Sequence, residues 1–342
     1  KEEIKVQIIM EKLLSGIDLS YEEAEEMMEV MMGGSMQPSQ VAAFLTAMRI
    51  KGEKVHELSA CAKVMRKKAK TLTISYPTLD TCGTGGDRSG TFNISTAVGF
   101  VCSAAGISVA KHGNRSISSQ SGSADVLEAL GANIQLEQNK AEELLEKYGF
   151  TFLFAPLFHP AMQNVATIRK ELGYRTLFNI LGPLCNPATV CYQLMGVYDA
   201  NLAPTFAQIL HDLGIQRALI VHGMDGLDEM TITDATYVTE LREGIIKSFY
   251  VHPLEYGIPI ATSAMLKGGD AKHNAKIITH LLQGEKSPCL DIVALNSGAA
   301  FYIAGITKSI KEGIHYAYEL LYKGIPYKKM QGYITATREV PS

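Results

Sequence analysis

The chain has 342 residues, 46% apolar and 20% charged, which is ample material for a core and a composition unlike that of a disordered chain. Lys plus Arg (32) against Asp plus Glu (35) leaves a formal charge of −3. That balance argues against the basic footprint of a non-specific nucleic-acid binder, but it leaves room for a local anion site. Tryptophan is absent, and no apolar stretch approaches the length of a membrane span.

The first 70 residues read as helices only. The opening KEEIKVQIIMEKLLSG is too charged for the apolar core of a signal peptide. Ser20 followed by Glu23 is a capping box that opens YEEAEEMMEVMM, and Gly33-Gly34 ends that helix. Pro38 suits a first helical turn ahead of Val41, Phe44, Leu45 and Met48, and Gly52 closes the run. From Val55 to Lys68, Leu58, Cys61, Ala62 and Met65 share one face. Arg66, Lys67 and Lys68 gather at the C-terminal end, as expected of a solvated, dipole-matched helix end.

After Tyr76-Pro77, β-rich runs alternate with helical ones. TLDTC precedes a helix at Ile94–Ala105, ISVAKHG one at Ala124–Leu130, and FTFLFAP one near Met162–Leu172. VCYQLMGVYD is followed by Leu202–Leu213 and then by RALIVHG. This alternation predicts a mainly parallel sheet with helices on its faces. TYVTELREGIIKSFYVHP breaks it and reads as an antiparallel excursion, after which Lys272–Leu282, Gly298–Ile303 and Ile314–Tyr322 are helical again. The expected organisation is a small helical domain over 1–70, joined by the helical segment 160–185, and a large α/β domain over 71–342.

Four segments carry chemistry. In Asp80-Thr81-Cys82-Gly83-Thr84-Gly85-Gly86-Asp87, three glycines in four positions let backbone amides approach an anion, and a helix N-terminus follows at Asn93-Ile94-Ser95-Thr96. The loop is neither a Walker A loop nor GxGxxG, and a tight strand–helix connection would look much the same. Lys111 to Ser119 packs two fixed cations, a histidine, a glycine and three serines into nine residues, a phosphate cradle rather than a core. Ser123 then reads as the N-cap of the following helix. The adjacent Asp228-Glu229, after a strand and a Gly-rich turn, suits Mg²⁺, although such a pair is more often solvated surface. Arg169 and Arg175, ahead of the stiff turn Gly182-Pro183-Leu184-Cys185-Asn186-Pro187, each suit a carboxylate, the plain alternative being ion pairing with nearby glutamates. The six cysteines form no CxxC and the nine histidines no HExxH. This predicts buried free thiols in a reduced, cytoplasmic protein without a zinc site.

Gly83–Asp87, Lys111–Ser119, Gly122–Asp125, Asn179–Pro187 and Asp228-Glu229 occur together in this order, and over essentially its whole length the chain closely resembles the anthranilate phosphoribosyltransferase family. The resemblance implies a nucleoside-phosphorylase-like architecture. It also implies Mg²⁺-dependent transfer of the phosphoribosyl group from phosphoribosyl pyrophosphate (PRPP) to anthranilate, in tryptophan biosynthesis. Residue by residue, it implies that Gly83, Gly86, Asp87, Thr91, Asn93, Ile94, Ser95 and Thr96 hold PRPP. Lys111, His112, Gly113, Asn114, Arg115, Ser116, Ile117, Ser118, Ser119 and Ser123 complete that site. Gly83, Asn114 and Arg169 face anthranilate, and Ser95, Asp228 and Glu229 bind magnesium. No nucleophile or general base is implied, His112 being at most a contact or proton relay. Cys185 stands where the family pattern has Thr, a small-for-small change. The family also implies a homodimer packed through the helical part, with Met27, Met28, Met31 and Met32 as candidate contacts beside their ordinary use in a core, and neither nucleic-acid nor membrane partners. A pyrimidine nucleoside phosphorylase would begin this loop with Lys-His-Ser, which DTCGTGGD lacks. A non-catalytic nucleic-acid-binding relative fits neither the charge nor the Asp-Glu pair.

Overall fold

The computed structural model describes residues 2–87, 89–116 and 120–339. Four helices come first: α1 (Glu2–Leu14), α2 (Tyr21–Met32), α3 (Pro38–Lys51) and α4 (Val55–Lys68). The Ser20–Glu23 capping box forms as predicted, Pro38 sits in the first turn of α3, and Gly52 ends it. Met27, Met28, Met31 and Met32 are all buried, so they fill the bundle's own core rather than a surface.

Strands and helices then alternate: β1 (Thr78–Gly83), α5 (Ile94–Ala104), β2 (Ser108–Gly113), α6 (Ser123–Leu130), α7 (Gln138–Tyr148), β3 (Phe150–Phe154), α8 (Ala155–Phe158), α9 (Gln163–Leu172) and α10 (Leu177–Leu181). The series continues with β4 (Tyr192–Gly196), α11 (Ala203–Asp212), β5 (Arg217–Gly223), β6 (Thr236–Arg242) and β7 (Ile245–Val251). It closes on α12 (Ala271–Leu282), α13 (Pro288–Ile303), α14 (Ile310–Tyr322) and α15 (Ile325–Arg338). The seven-stranded sheet has the order β3-β2-β1-β4-β5-β6-β7. The first five strands are parallel, and β6 and β7 are antiparallel, the predicted excursion. β7 is the edge; its outer half is exposed, and its Lys247 reaches back 2.9 Å to Glu240, which is buried on β6.

Sequence order reverses between β1 and β4, with Gly83 opposite Gly196 at their C-terminal ends. A doubly wound sheet opens a ligand crevice at such a switch point. α9 and α10 pack back onto α2, α3 and α4, so the helical unit draws on the segment after β3 as well as on the N-terminus.

Several local expectations are corrected. Gly122, not Ser123, is the N-cap of α6: Ser123 is already the first helical residue, its hydroxyl donates to the Asn114 carbonyl (3.4 Å), and Asp125 accepts the Gly122 amide (2.8 Å). α13 starts at Pro288, capped by Ser287, not at Gly298. It is buried on nearly every side, so it lacks the one-sided apolar stripe that marks a surface helix. The basic end of α4 is only partly solvated. Lys67 and Lys68 pair with Glu29, but Arg66 turns inward and donates to the carbonyls of Leu184 (2.7 Å) and Leu213 (3.1 Å). Of the six free cysteines, four are buried, while Cys191 and Cys289 are half-buried.

Candidate active site at the switch point

The site lies where β1, β2, β4 and β5 end. β1 runs into the Gly-rich loop, whose shape is set by its neighbours. The Thr84 amide donates to Gly196 (2.9 Å), Thr84 Oγ1 accepts from Tyr198 N (3.2 Å), and the Gly85 amide donates to Asp228 Oδ2 (2.7 Å). Gly85 and Gly86 have φ of +68° and +78°, a backbone that other residues adopt only with strain. A Cβ on Gly196 would overlap the Asp228 backbone, so glycine at this rung is what admits the Asp228 loop to the crevice.

Asp228 and Glu229 stand against that loop. Burial, then the charge of neighbouring Asp87, pushes the Asp228 carboxyl up to about 8. Burial and the Asp228 charge push Glu229 well above the usual carboxylate range, against the pull of Lys111 and of the Ser95 amide at the start of α5. Asp87 thus raises half-buried Asp228, and Asp228 and Asp87 raise buried Glu229, a crowding of carboxylates that a bound cation would relieve. Among the described residues, no three Asp, Glu, His or Cys side chains converge on one metal position. Such a partial shell suits Mg²⁺, which keeps water and substrate phosphate oxygens as its other ligands. Asp225 and Asn296 hold this loop in shape. Asp225 accepts from Leu227 N (3.2 Å), Thr231 Oγ1 (2.8 Å) and Thr233 Oγ1 (2.5 Å), while the buried Asn296 amide brackets Met230 N (3.0 Å) and O (2.8 Å).

Lys111 lies beneath the loop, 2% exposed, with its ammonium on the Thr81 carbonyl and Ser95 Oγ (3.0 Å). Burial lowers its proton affinity, and Asp80, Cys82 and Glu229 oppose that. Asn93 ties the start of α5 to the loop before α6, donating to Ser121 O (3.0 Å) and accepting from Asn274 Nδ2 (3.0 Å). The Ile94 and Thr96 side chains are buried, so only their backbone can serve a ligand. Thr91 pairs with Lys267 in an isolated bridge, and Asp87 accepts from Ser89 Oγ (2.6 Å).

The second predicted segment follows β2. His112 is half-buried with its ring 5.0 Å from that of His159. Burial holds both neutral, at about 3 for His112, where His159 and Lys111 add to the effect, and about 4 for His159. Gly113 lets the Ser123 hydroxyl and the Phe152 ring sit where a Cβ would be. Asn114 is exposed, its carbonyl accepting from Ala124 N (3.2 Å) and Ser123 Oγ (3.4 Å). Asp125 gathers the loop by accepting from Ser116 N (3.0 Å) and Gly122 N (2.8 Å). Arg115 is turned away onto Glu128 and Asp125 in a forked ion pair. Ile117, Ser118 and Ser119 lie outside the described residues.

Arg169, on α9, is half-buried with its guanidinium 5.0 Å over the Phe178 ring. Among the described residues it has no carboxylate partner, which leaves its fork uncommitted. Sequence reasoning missed Asp225 and Asn296. The Thr-rich stretch after Glu229 signals a structured turn, but a lone Asn inside an apolar helix signals nothing until its partner is seen.

The bundle set against a switch-point crevice is the layout of a two-domain glycosyl transferase. A family model described as "Glycosyl transferase family, a/b domain" matches residues 75–327, and one described as "Glycosyl transferase family, helical bundle domain" matches residues 7–69. Within that class the chain belongs to the anthranilate phosphoribosyltransferase family. It is 49% identical to the anthranilate phosphoribosyltransferase of Acetivibrio thermocellus, covering 95% of each chain. It is 47% identical to that of Alkaliphilus metalliredigens, over 98% of this chain and 99% of the other. The crystal structure of the Thermus thermophilus enzyme superposes with a TM-score of 0.91 at 43% identity, over 97% of this chain and 99% of that one. The Saccharomyces cerevisiae enzyme in complex with PRPP and Mg gives 0.91 at 28% identity, over 99% of each.

Proposed function

We propose that this chain transfers the 5-phosphoribosyl group of PRPP to the amine of anthranilate and releases pyrophosphate, with Mg²⁺ as cofactor, in tryptophan biosynthesis. The observation that carries the reading is the glycine loop at the switch point, bound through its Gly85 amide to Asp228 of the Asp228-Glu229 pair. The C1–O bond to pyrophosphate breaks, the C1–N bond forms on the opposite face of the ribose, and the ammonium formed loses its proton. Anthranilate's aromatic amine is uncharged at neutral pH, so the site needs no strong base. The demanding event is charge development on the ribose as pyrophosphate leaves.

The residues divide that work. The amides of Gly83–Asp87 and of the α5 N-terminus, with Thr91, Asn93, Ser95 and the Asn114–Ser119 loop, bind the phosphates, and Lys111 adds positive field from beneath. Asp228, Glu229 and Ser95 would hold Mg²⁺, which neutralises leaving-group charge when bound. Arg169 binds the anthranilate carboxylate, and Gly83 and Asn114 border the ring, aligning amine and C1. Arg115 reaches substrate phosphate only by exchanging its Glu128 and Asp125 partners. The test is anthranilate fluorescence: its decay requires protein, PRPP and Mg²⁺ together. Decay that persists without PRPP overturns the reading.

The assembly we infer is a homodimer joined through the helical unit. Ile4, Ile8, Leu14, Ile17 and Ile50 are exposed there, from 51% (Ile17) to 81% (Ile50), an apolar set that a second copy would cover. No helix of the described residues is long and apolar enough to cross a membrane, the free cysteines suit a reducing, cytoplasmic setting, and the net charge of −3 speaks against nucleic-acid partners.

A further inference from the structure

Arg175, read from the sequence as a carboxylate ligand, has no carboxylate partner among the described residues and instead links the two halves of the molecule. Its Nη2 donates to the Gly86 carbonyl (2.9 Å), and its guanidinium lies 4.3 Å over the Tyr198 ring. Tyr198 in turn donates its amide to Thr84, so the arginine grips the glycine loop at two points. A Cβ on Gly86 would collide with the guanidinium, so a side chain there would push the arginine tip off the loop. Toward the bundle, the Arg175 carbonyl accepts from Arg49 of α3 (2.5 Å). The adjacent Tyr174 hydroxyl bonds Thr46 of α3, under the Arg49 guanidinium (5.1 Å). Among the described residues, no carboxylate pairs with Arg175, so its charge is directed at the loop.

We propose that Arg175 is a positioning residue that locks the Gly83–Asp87 loop to α3, so that the pyrophosphate loop and the helical unit carrying Arg169 are held in one register. The proposal rests on the reading of that loop as the PRPP site. Without the tie, the loop must be ordered by PRPP itself, which weakens PRPP binding and leaves anthranilate's own contacts intact.

The test measures Mg²⁺–PRPP binding by calorimetry, with KM and kcat, in Arg175→Ala, Arg175→Lys, Arg49→Ala and the double variant R49A/R175A of the full chain. Arg175→Ala is expected to raise the PRPP Kd and KM about tenfold, the worth of one charge-assisted hydrogen bond, with the anthranilate KM little changed. Arg175→Lys recovers part of the loss, because the charge remains and the planar stack does not. Arg49→Ala, remote from the loop, shifts the same constant in the same direction by a smaller factor. The double variant is no worse than Arg175→Ala, since the tie is already cut. Effects of the two substitutions that simply multiply, or a PRPP Kd unmoved by Arg175→Ala, overturn the proposal. Should Arg175→Ala fail to fold, Arg49→Ala decides alone, an unmoved PRPP Kd being the overturning result. A wild-type chain that binds no PRPP and consumes no anthranilate overturns the functional reading instead.

Discussion

The Gly85 amide donates to the Asp228 carboxylate across 143 residues of chain, at 2.7 Å. One bond therefore joins the loop assigned to pyrophosphate and the pair assigned to Mg²⁺, and the two halves of the leaving-group site are set by each other.

That coupling makes the acidic pair all-or-none. The double variant Asp228→Ala/Glu229→Ala is expected to lose Mg²⁺-dependent turnover by about a thousandfold or more, measured by anthranilate fluorescence at saturating PRPP. Turnover near the wild-type rate would remove the metal assignment.

Arg169→Ala is expected to raise the anthranilate KM about tenfold or more, with a smaller effect on the PRPP KM. Equal effects on both constants would count against a role for this guanidinium at the anthranilate carboxylate.

Buried neutral histidines make the fold sensitive to acid. His159 titrates at about 4 in the folded chain against an ordinary 6.5, so the stability it contributes is complete above 6.5 and is lost as pH falls toward 4. At pH 5 the unfolded chain holds a proton there that the folded one does not, which costs about 2 kcal/mol. His112, depressed further, extends the loss to lower pH. Urea midpoints at pH 7.5 and pH 5 should therefore lie closer together in His159→Asn than in wild type.

Arg66 pins α4 to the α/β part through two carbonyls. Arg66→Ala leaves the Leu184 and Leu213 carbonyls without this donor and is expected to cost about 2–4 kcal/mol by chemical denaturation. A loss within experimental error would mean that water replaces the guanidinium.

Ile8→Asp with Ile50→Asp places charge in the exposed apolar set on the helical unit. Sedimentation is expected to show a dimer for wild type and a monomer for this variant. A dimer in both would place the interface elsewhere.

The legible parts of the fold were those with local grammar. The Ser20–Glu23 box, Pro38 and Gly52 punctuate helices through their own backbone bonds, and the strand–helix alternation after Tyr76 follows from two different side-chain periods. α13 was only partly legible because it is buried all round, and α7 and α15 were not singled out. In the site, the residues flanking a backbone anomaly were readable: glycines in series, and an Asp-Glu pair after a strand. Arg175 was not, because its partner is a carbonyl 89 residues away, and either arginine near α9 reads equally well as a carboxylate ligand. Asp225 and Asn296 were hidden for a similar reason, since Asp225 satisfies one main-chain amide and two threonine hydroxyls and Asn296 satisfies main-chain groups, neither one a ligand.

The outer strand of the sheet has a consequence for assembly. β7 runs antiparallel at an open edge, where an unpaired backbone invites further strands and, in the extreme, a growing fibre. Lys247 on that strand is bound to the buried Glu240, so an incoming chain meets an ammonium that it could displace only by removing the one cation that, among the described residues, is paired with this interior carboxylate, which would keep Tyr302 alone as partner. The pair thus acts as a terminator of polymerisation: Lys247→Val should leave catalysis alone yet shorten the time to turbidity in concentrated, warmed solution.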